Sequence, residues 1–365
     1  MWPLLLGTLT MFVFALPLVP AALEWRRARD VRPLMIDGEH TLDVTKVAAD
    51  FRALVARHEA GDRLHRLTRT AMALRPVVHV TGSFVPTRAE TNLGVCTRTV
   101  VTGGTLTLPD GFTFSRDIYG RRGVYTGREN HLQVLLSEGE LVIRDGSELQ
   151  RWAHARNIHV EPNCRLRGPV SAHYAIRLEE ACEFTSVSAA VVSFGQRRAG
   201  TPPDIDDRTD NANAGAAPSL EAIPDADASE HPDGRWLVPH ALTLSANTVH
   251  RGDLIVHGEL WIGAGSCIMG SVKSTGGIWL GPGVRIHGAL IAAGAILLER
   301  ECVIAGPLVS EQEIDVGRRC VIGAAGRRTT VVAPLLHMHA GTVVYGAASA
   351  LEEGRVVPEA SAGDA

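Results

Sequence analysis

The sequence lacks most of the features that reveal a protein's chemistry. It has no GxxxxGK[ST] phosphate-binding loop, no HExxH zinc motif and no GxSxG nucleophile elbow. A nucleotide-driven motor or switch therefore has no visible phosphate cradle, and we predict neither catalytic residues nor a cofactor. The formal net charge of −4 is close to balance, so the overall charge does not predict a nucleic-acid partner.

What the sequence does contain is a short repeat, about 18 residues long. Apolar residues recur two, eight and ten positions after each glycine of the repeat and, in the later repeats, sixteen positions after it. The inward candidates form pairs two positions apart, at offsets two and four, eight and ten, and fourteen and sixteen. Because alternate residues share one face of a strand, such pairs predict short strands, three to a repeat. A unit this short cannot bury its own apolar face and must stack on its neighbours. The glycines that define the interval are Gly234, Gly252, Gly270, Gly288 and Gly306.

The repeat predicts an all-β fold, a three-sided β-helix (β-solenoid) with about 18 residues per coil. Other glycines recur at its corners, for example Gly258, Gly276 and Gly294, where a tight bend favours a residue without Cβ. Both members of each inward pair are bulky, which fills a narrow prism. The predicted core ladder consists of Leu254, Leu260, Ile262, Val272, Ile278, Leu280, Ile286, Leu290, Ile296, Leu298, Ile304, Ile314, Val316 and Ile322.

The same pattern recurs more loosely in the first half of the chain, where Leu141 and Ile143 precede Ile158 and Val160 by one position less than a full repeat. We interpret the two regions as two stretches of one solenoid, or as two solenoids that pack together. Cys164 and Cys182 are one repeat apart, as are Cys302 and Cys320, in one inward column. A disulfide between coils has suitable spacing. The alternative, which we favour, is a small apolar filler in a core ladder, in a reducing compartment.

The N-terminus predicts a membrane anchor. Residues 1–23 carry no charged side chain and are long enough to span a bilayer. Trp25 and three arginines up to Arg29 follow, which marks the cytoplasmic side. A secretory signal would instead be basic before its apolar core. This favours a retained single-pass anchor with the body in the cytoplasm over an export signal or a peripheral hairpin.

The segments between these features complete the predicted organisation. A helix is expected over 43–75, with Val47, Phe51, Leu54 and Val55 on one face and a break near Gly61. Its second, arginine-rich piece, 62–74, could lie on anionic lipid, cover an end of the solenoid or act as a spacer. The predicted domains are an anchor (1–23), a linker with a short helical segment (24–76), a first β-helix stretch (77–195), a disordered acidic insert (196–235), a second β-helix stretch (236–346) and a disordered tail (347–365).

Two enzymatic interpretations are weaker. His337 and His339 lie two apart, on one face of a strand, but two ligands do not make a metal site, and we predict none. Coils of three hexads also describe the left-handed β-helix of hexapeptide-repeat acyltransferases, and steps such as Leu280-Gly281 resemble theirs. Those enzymes usually place a small residue where this chain has Ile278 and Leu290. An acyl- or sugar-transfer enzyme and an exported envelope β-helix protein remain the alternatives.

The segment from Gly252-Asp-Leu-Ile-Val-His-Gly through Cys320-Val-Ile-Gly323 resembles the bactofilins, a family of polymer-forming cytoskeletal proteins. The resemblance implies a right-handed, three-sided β-helix that polymerises end to end without nucleotide. It further implies a position at the inner membrane and a scaffolding role for cell-wall or morphogenetic proteins. The expected partners are therefore a second copy of the chain, the inner membrane and envelope or cell-wall proteins.

Self-assembly also has a physical basis that does not depend on the family. The last coil at either end of a solenoid exposes an unpaired backbone edge and an apolar layer, which is either capped or paired with another molecule. We therefore expect a non-enzymatic scaffold that assembles through its β-helix ends. The predicted polymerisation interface at the C-terminal end consists of Val331, Val332, Leu335, Val343, Val344 and Tyr345, which could instead form an internal cap.

Overall fold

A computed structural model describes residues 44–59, 77–195, 229–230 and 235–358. The predicted anchor, the arginine-rich piece 62–74 and most of the acidic insert lie outside these residues. Two helices are described, α1 (Val44–Glu59) and α2 (Arg88–Leu93), together with 33 strands. Neither of these helices is long and apolar enough to cross a bilayer.

The strands form a β-solenoid of about 13 turns with about 18 residues per coil, as predicted. The first solenoid, residues 77–195, contains β1 (Val77–His79), β2 (Gly82–Ser83), β3 (Val95–Cys96), β4 (Thr99–Thr102), β5 (Thr105–Thr107), β6 (Thr113–Gly120), β7 (Gly123–Tyr125), β8 (His131–Ser137), β9 (Glu140–Ile143), β10 (Glu148–Val160), β11 (Arg165–Leu166), β12 (Val170–Leu178), β13 (Glu183–Ser188) and β14 (Val191–Phe194).

The second solenoid, residues 235–358, begins beside the short strand β15 (Ser229–Glu230), which falls within the predicted insert. Its strands are β16 (Arg235–Val238), β17 (Leu242–Leu244), β18 (Val249–Arg251), β19 (Asp253–Val256), β20 (Leu260–Ile262), β21 (Cys267–Met269), β22 (Val272–Ser274), β23 (Ile278–Leu280), β24 (Arg285–Ile286), β25 (Leu290–Ala292), β26 (Ile296–Leu298), β27 (Val303–Ile304), β28 (Leu308–Ser310), β29 (Glu313–Val316), β30 (Val321–Ile322), β31 (Thr329–His339), β32 (Thr342–Val344) and β33 (Gly346–Val357).

Parallel pairing between successive coils stacks these strands in three columns, which we name faces A, B and C in chain order. In the first solenoid the faces begin with β1, β2 and β3, and in the second with β16, β17 and β18. Inward side chains of all three faces fill one continuous core. The fourteen residues of the predicted core ladder all lie in this interior, each with at most 2% of its surface exposed.

The coil length varies along the chain. In the first solenoid, full-length and slightly shorter steps both occur, so that Leu106 pairs with Val124 and Val124 with Leu141. In the second solenoid the step keeps its full length until Leu308 pairs with Val331. This longer coil, the last but one, accommodates the turn at 323–328, where Ala324 and Arg327 form an isolated antiparallel bridge.

The two solenoids join through their C-terminal ends. Face A of one meets face A of the other, where Val187 of β13 pairs with Ala348 of β33. Face B of the first solenoid meets face C of the second, where Val192 of β14 pairs with Val344 of β32. Both pairings are antiparallel, whereas every coil-to-coil pairing within a solenoid is parallel. The first solenoid therefore runs from one end of the rod to its middle. The second solenoid begins at the opposite end of the rod and runs back to the middle.

This junction corrects the predicted C-terminal boundary. Residues 347–357 were expected in a disordered tail because they are small and polar, but they belong to β33. Small side chains are what the junction requires. Ala348 is fully buried beneath the antiparallel contact, and a Cβ at Gly354 would lie 2.6 Å from the Phe184 ring. The composition that suggests a tail thus permits the close approach of two β-helix ends.

The glycine column of the repeat is explained by contact between coils. A Cβ built on Gly270 would lie 2.2 Å from the Gly252 carbonyl oxygen, and one on Gly288 would lie 2.6 Å from the Gly270 carbonyl carbon. Gly288 N donates to Gly270 O at 3.0 Å, so each glycine sits on the backbone of the one before. Of these, only Gly252 has a positive φ, 106°. Larger residues are excluded here because stacked backbones approach closely, and not because the chain bends.

The corner between faces B and C uses the left-handed conformation instead. Successive coils each place one residue there with φ between 53° and 80°, which L side chains adopt at a cost of about 1–2 kcal/mol. Because only some of these residues are glycines, the sequence pattern did not reveal this corner. They are Gly111, Glu129, Gly146, Asn163 and Ala181 in the first solenoid, and Asn247, Gly265, Gly283, Glu301, Arg319 and Gly341 in the second.

The residue after this corner points inward and bonds to the neighbouring coil. Ser266 Oγ accepts a hydrogen bond from Thr248 N at 3.1 Å, and Asn130 Oδ1 accepts one from Phe112 N at 2.9 Å. The four cysteines of the predicted ladder occupy this column. Cys302 Sγ, for example, donates to Gly281 O at 3.2 Å, and all six thiols of the chain are free. The neighbouring thiol and burial raise the pKa of Cys164 and of Cys320.

Replacing a stacked glycine should destabilise the solenoid. In Gly288→Ala the new methyl group meets backbone atoms that belong to the ladder, so we expect the free energy of unfolding to fall by about 1–3 kcal/mol. Gly103→Ala is the matched control, because a Cβ there has no neighbour within 4 Å. Thermal unfolding followed by circular dichroism measures both. Equal melting temperatures for the two variants would contradict this account of the repeat.

Candidate functional site: ends and outer faces of the solenoid

Helix α1 covers the outer surface of face A in the first solenoid. Its apolar side, with Ala48, Phe51 and Val55 buried, packs on outward side chains of four successive strands, β4, β6, β8 and β10. Phe51 meets the Tyr119 and Trp152 rings edge-on, with centroids 6.3 and 6.2 Å away. The sequence predicted this helix and placed Phe51 and Val55 on one face. The surface that it covers is a side of the solenoid.

The covered strands are apolar on the outside as well as the inside. Val101, Tyr119 and Leu136 follow the inward residue of their strand and are 0–6% exposed beneath α1. At the edge of this face, Arg52 of the helix forms an ion pair with Glu138 of the coil. A flat β-helix face thus binds an amphipathic helix through a row of apolar side chains and one ion pair.

The corresponding face of the second solenoid has no such cover among the described residues. Its outward positions carry another apolar row, interrupted once by a lysine, and Leu237 and Ile291 are 38% and 37% exposed. We name this row the face A stripe. Its members, one from each of six successive strands, are Leu237, Ile255, Lys273, Ile291, Val309 and Val332.

Face B of the second solenoid carries a tryptophan stack. Trp261 and Trp279 occupy the same outward position in adjacent coils, with ring centroids 4.8 Å apart and planes within 9° of parallel. Thr243 precedes them and Leu297, 40% exposed, follows them in the same column. The spacing of the two tryptophans by one repeat is a signal that could have been read from the sequence. The two rings pack face to face, and Trp261 remains 36% exposed.

The N-terminal coil of the first solenoid forms one end of the rod. Among the described residues, β1, β2 and β3 pair only with the next coil, and α2 is inserted between β2 and β3. Thr87 caps α2 in a reciprocal bond with Glu90, which also holds Arg98 at 2.7 Å. Burial acts to raise the pKa of Glu90, but the Arg98 and Thr87 hydrogen bonds outweigh it and lower that pKa to about 2. Val85 and Leu93 project here, 78% and 75% exposed.

The N-terminal coil of the second solenoid forms the other end. Strand β15 pairs antiparallel with β16, while β17 and β18 pair only with the next coil among the described residues. His250 is the first residue of an inward column that continues with Ile268 and Ile286. Only 5% of the surface of His250 is exposed. Its ring meets Trp236 edge-on at 5.9 Å, and its buried Nε2 has no hydrogen-bond partner among the described residues. Burial lowers the pKa of His250.

The residues of the predicted polymerisation interface lie at the internal junction or in the strand beside it. Val343 and Val344 pair with β14 of the first solenoid, and Val331 pairs with Ala348 of β33. Leu335 is in β31, opposite Glu353. Val332 and Tyr345 are partly buried. This C-terminal edge is therefore occupied within the chain, because the first solenoid supplies the strands that a second molecule was expected to supply.

The paired histidines do not converge on a metal. His337 Nδ1 lies 2.9 Å from Glu313 Oε1, and His339 Nε2 lies 3.1 Å from Asp315 Oδ1. Each imidazole therefore faces a carboxylate of the preceding coil. Within the part of the chain that the structure describes, no three His, Cys, Asp or Glu side chains are grouped to hold a metal ion.

Acid should weaken the end that His250 closes. Because the pKa of His250 is lower in the folded chain, the unfolded chain takes up the proton first as the pH falls below about 6.5. The free energy of unfolding then decreases with falling pH, by up to about 1.4 kcal/mol per pH unit for one proton. His250→Ile, which continues the isoleucine column, should raise the melting temperature and remove this part of the pH dependence. Identical slopes for both proteins between pH 7 and pH 5 would refute the assignment.

Comparison with known proteins yields no relative from which a role could be transferred. No family model matches the chain, and neither a curated protein nor a solved structure matches it.

Proposed function

We propose that this protein is a membrane-anchored, nucleotide-independent cytoskeletal scaffold that assembles through its β-helix ends. The observation that carries the proposal is the internal junction, where two β-helix ends of this sequence join by antiparallel strand pairing. In this role the chain is a structural protein rather than an enzyme, of the kind that the resemblance to bactofilins implies.

The junction supports end-on assembly because it shows the chemistry of such a contact. Phe184 and Phe194 lie 5.6 Å apart, centroid to centroid, at the end of the first core. The second core ends on Ala348 and Val344, and Ser186 Oγ and Ser349 Oγ lie 2.9 Å apart at the rim. The apolar layers of the two cores meet inside, while the backbone edges pair around them. The contact therefore covers both the apolar layer and the unpaired backbone edge of an open β-helix end.

This arrangement changes which surfaces are available to a second molecule. Since the C-terminal ends are joined inside the chain, both outer ends of the rod are N-terminal coils. Two such ends brought together would pair antiparallel, as β13 and β33 do. In this route each end pairs with the same end of a second copy, which gives a rod without polarity, because a two-fold axis relates the two molecules at every contact.

The remaining parts of the proposal concern placement. Residues 1–23 would hold the chain at the inner membrane, with the solenoid in the cytoplasm. A rod of fixed coil spacing offers its outer faces at regular intervals, which suits a role in positioning envelope or morphogenesis proteins. Face A of the second solenoid and the tryptophan stack on face B are the apolar surfaces that support this part.

Charge at the first end should limit assembly. In Leu93→Asp a carboxylate replaces a side chain that is 75% exposed on the terminal coil, so folding is unaffected and end-to-end contact becomes unfavourable. We expect the full chain, purified in detergent without nucleotide, to form assemblies of many rods. The variant should form none longer than two, joined through the other end. Sedimentation velocity and negative-stain electron microscopy measure the difference.

Leu351→Asp provides the matched control. Leu351 is 73% exposed, but it lies on β33 beside the internal junction, away from both ends. It should assemble as the unaltered chain does, and all three proteins should melt at the same temperature. Single rods for the unaltered chain at high concentration, or normal assembly of Leu93→Asp, would refute end-on assembly.

A further inference from the structure

We infer that the face A stripe of the second solenoid is a docking site for an amphipathic α-helix of a partner protein. The expected helix is as long as α1, with an apolar row on one side and acidic side chains beside the middle of that row. The inference deepens the scaffold role and rests on it, since it names the surface that holds a client and the chemistry of the client.

The dimensions of the stripe match those of a helix. Six strands at about 4.8 Å make a row of about 24 Å, which is the length of about 16 helical residues. Helix α1, which binds the same face of the first solenoid, also has 16 residues. Successive turns of a helix are about 5.4 Å apart, close to the strand spacing, so one apolar residue per turn follows the row.

The stripe is also too narrow for a second flat sheet. On its other side, the outward position before each inward residue holds polar or small side chains, including Asp253, Ser271 and Ala289. Asp253 Oδ1 accepts a hydrogen bond from Ser271 N at 2.7 Å, so this column is committed to the coil. A sheet laid face to face would bury Asp253, whereas a helix covers one row and leaves it in water.

The stripe continues an interface that the molecule already uses. Face A of both solenoids forms a single sheet across the junction, because β13 pairs with β33 there. On the first half of this sheet, beneath α1, Leu136 is 0% exposed. The same outward position leaves Ile291 37% exposed on the second half. The sheet thus presents two helix-binding rows on one face, displaced sideways from each other by the antiparallel pairing, one filled by the chain itself and one open among the described residues.

Lys273 defines the charge of the partner. It is exposed in the middle of the row, with Ile255 and Ile291 on the neighbouring strands, and its ammonium group makes no ion pair or hydrogen bond with the described residues. On the first solenoid the coil contributes Glu138 and the helix contributes Arg52. Here the coil contributes the cation, so the helix should contribute the carboxylate. A cation between two aliphatic side chains is most favourable when a bound partner neutralises it.

Two synthetic helical peptides test the inference. Both match α1 in length, with blocked termini and leucine at i, i+4, i+7 and i+11, and they differ only in having glutamate or lysine beside the middle turn. Fluorescence anisotropy measures their binding to the full chain carrying Leu93→Asp, so that assembly through that end does not contribute. We expect the acidic peptide to bind at least about tenfold more tightly than the basic one, and Lys273→Glu to reverse that preference.

Ile291→Asp and Arg285→Asp complete the design. Ile291→Asp should weaken the binding of both peptides by about tenfold or more. Arg285 is exposed on face C, so Arg285→Asp should leave the binding of both peptides unchanged. Equal binding of the two peptides, or binding that survives Ile291→Asp, would overturn the inference. A second copy as the occupant would also overturn it: the Leu93→Asp protein would then form pairs, and adding Ile291→Asp would abolish them. Binding to phosphatidylglycerol vesicles that Ile291→Asp abolishes would assign it to lipid instead.

Discussion

Hydrogen bonds between successive coils set the distance on which every other feature depends. Each coil places its backbone about 4.8 Å from the next, and this spacing leaves no room for a Cβ where two glycines stack. The interior follows from the same constraint, because inward residues of one column touch the residue one coil away. So do the surface rows, where Trp261 and Trp279 stack and where the face A stripe is formed. The spacing thus orders the outside of the solenoid as strictly as its core.

The periodic parts of this fold were predictable from the sequence, because stacking repeats a local environment at a fixed interval. The inward columns of the second solenoid could be assigned residue by residue, and the shortened step from Leu141 to Ile158 was visible as well. The reason for the glycines was partly misread. Several stand where coils approach closely, while the strained corner uses residues such as Glu301 and Arg319, which no propensity scale marks as corner residues.

The features that break the period could not be predicted. The junction joins residues far apart in the chain by antiparallel pairing, and nothing in a short repeat indicates which end of one solenoid meets which end of the other. The prediction of the assembly interface was the one most affected by this. An apolar C-terminal strand has the same composition whether it is a free end or an internal seam, so Val343 and Val344 were expected at an interface between molecules. The apolar row under α1 gave a better signal, because a helix with one apolar side requires a surface to cover.

The antiparallel junction also determines the order in which the molecule can be completed during synthesis. Contacts within each solenoid join residues about one repeat apart, so coils can stack soon after they leave the ribosome. The end of the first core, around Phe184, is covered by β33, which is made only after the rest of the second solenoid. Until then the half-finished chain displays an open β-helix end of the kind that pairs with other chains. Premature termination within the second solenoid would leave that end permanently exposed, so the protection of the first core from aggregation depends on a strand made much later in synthesis.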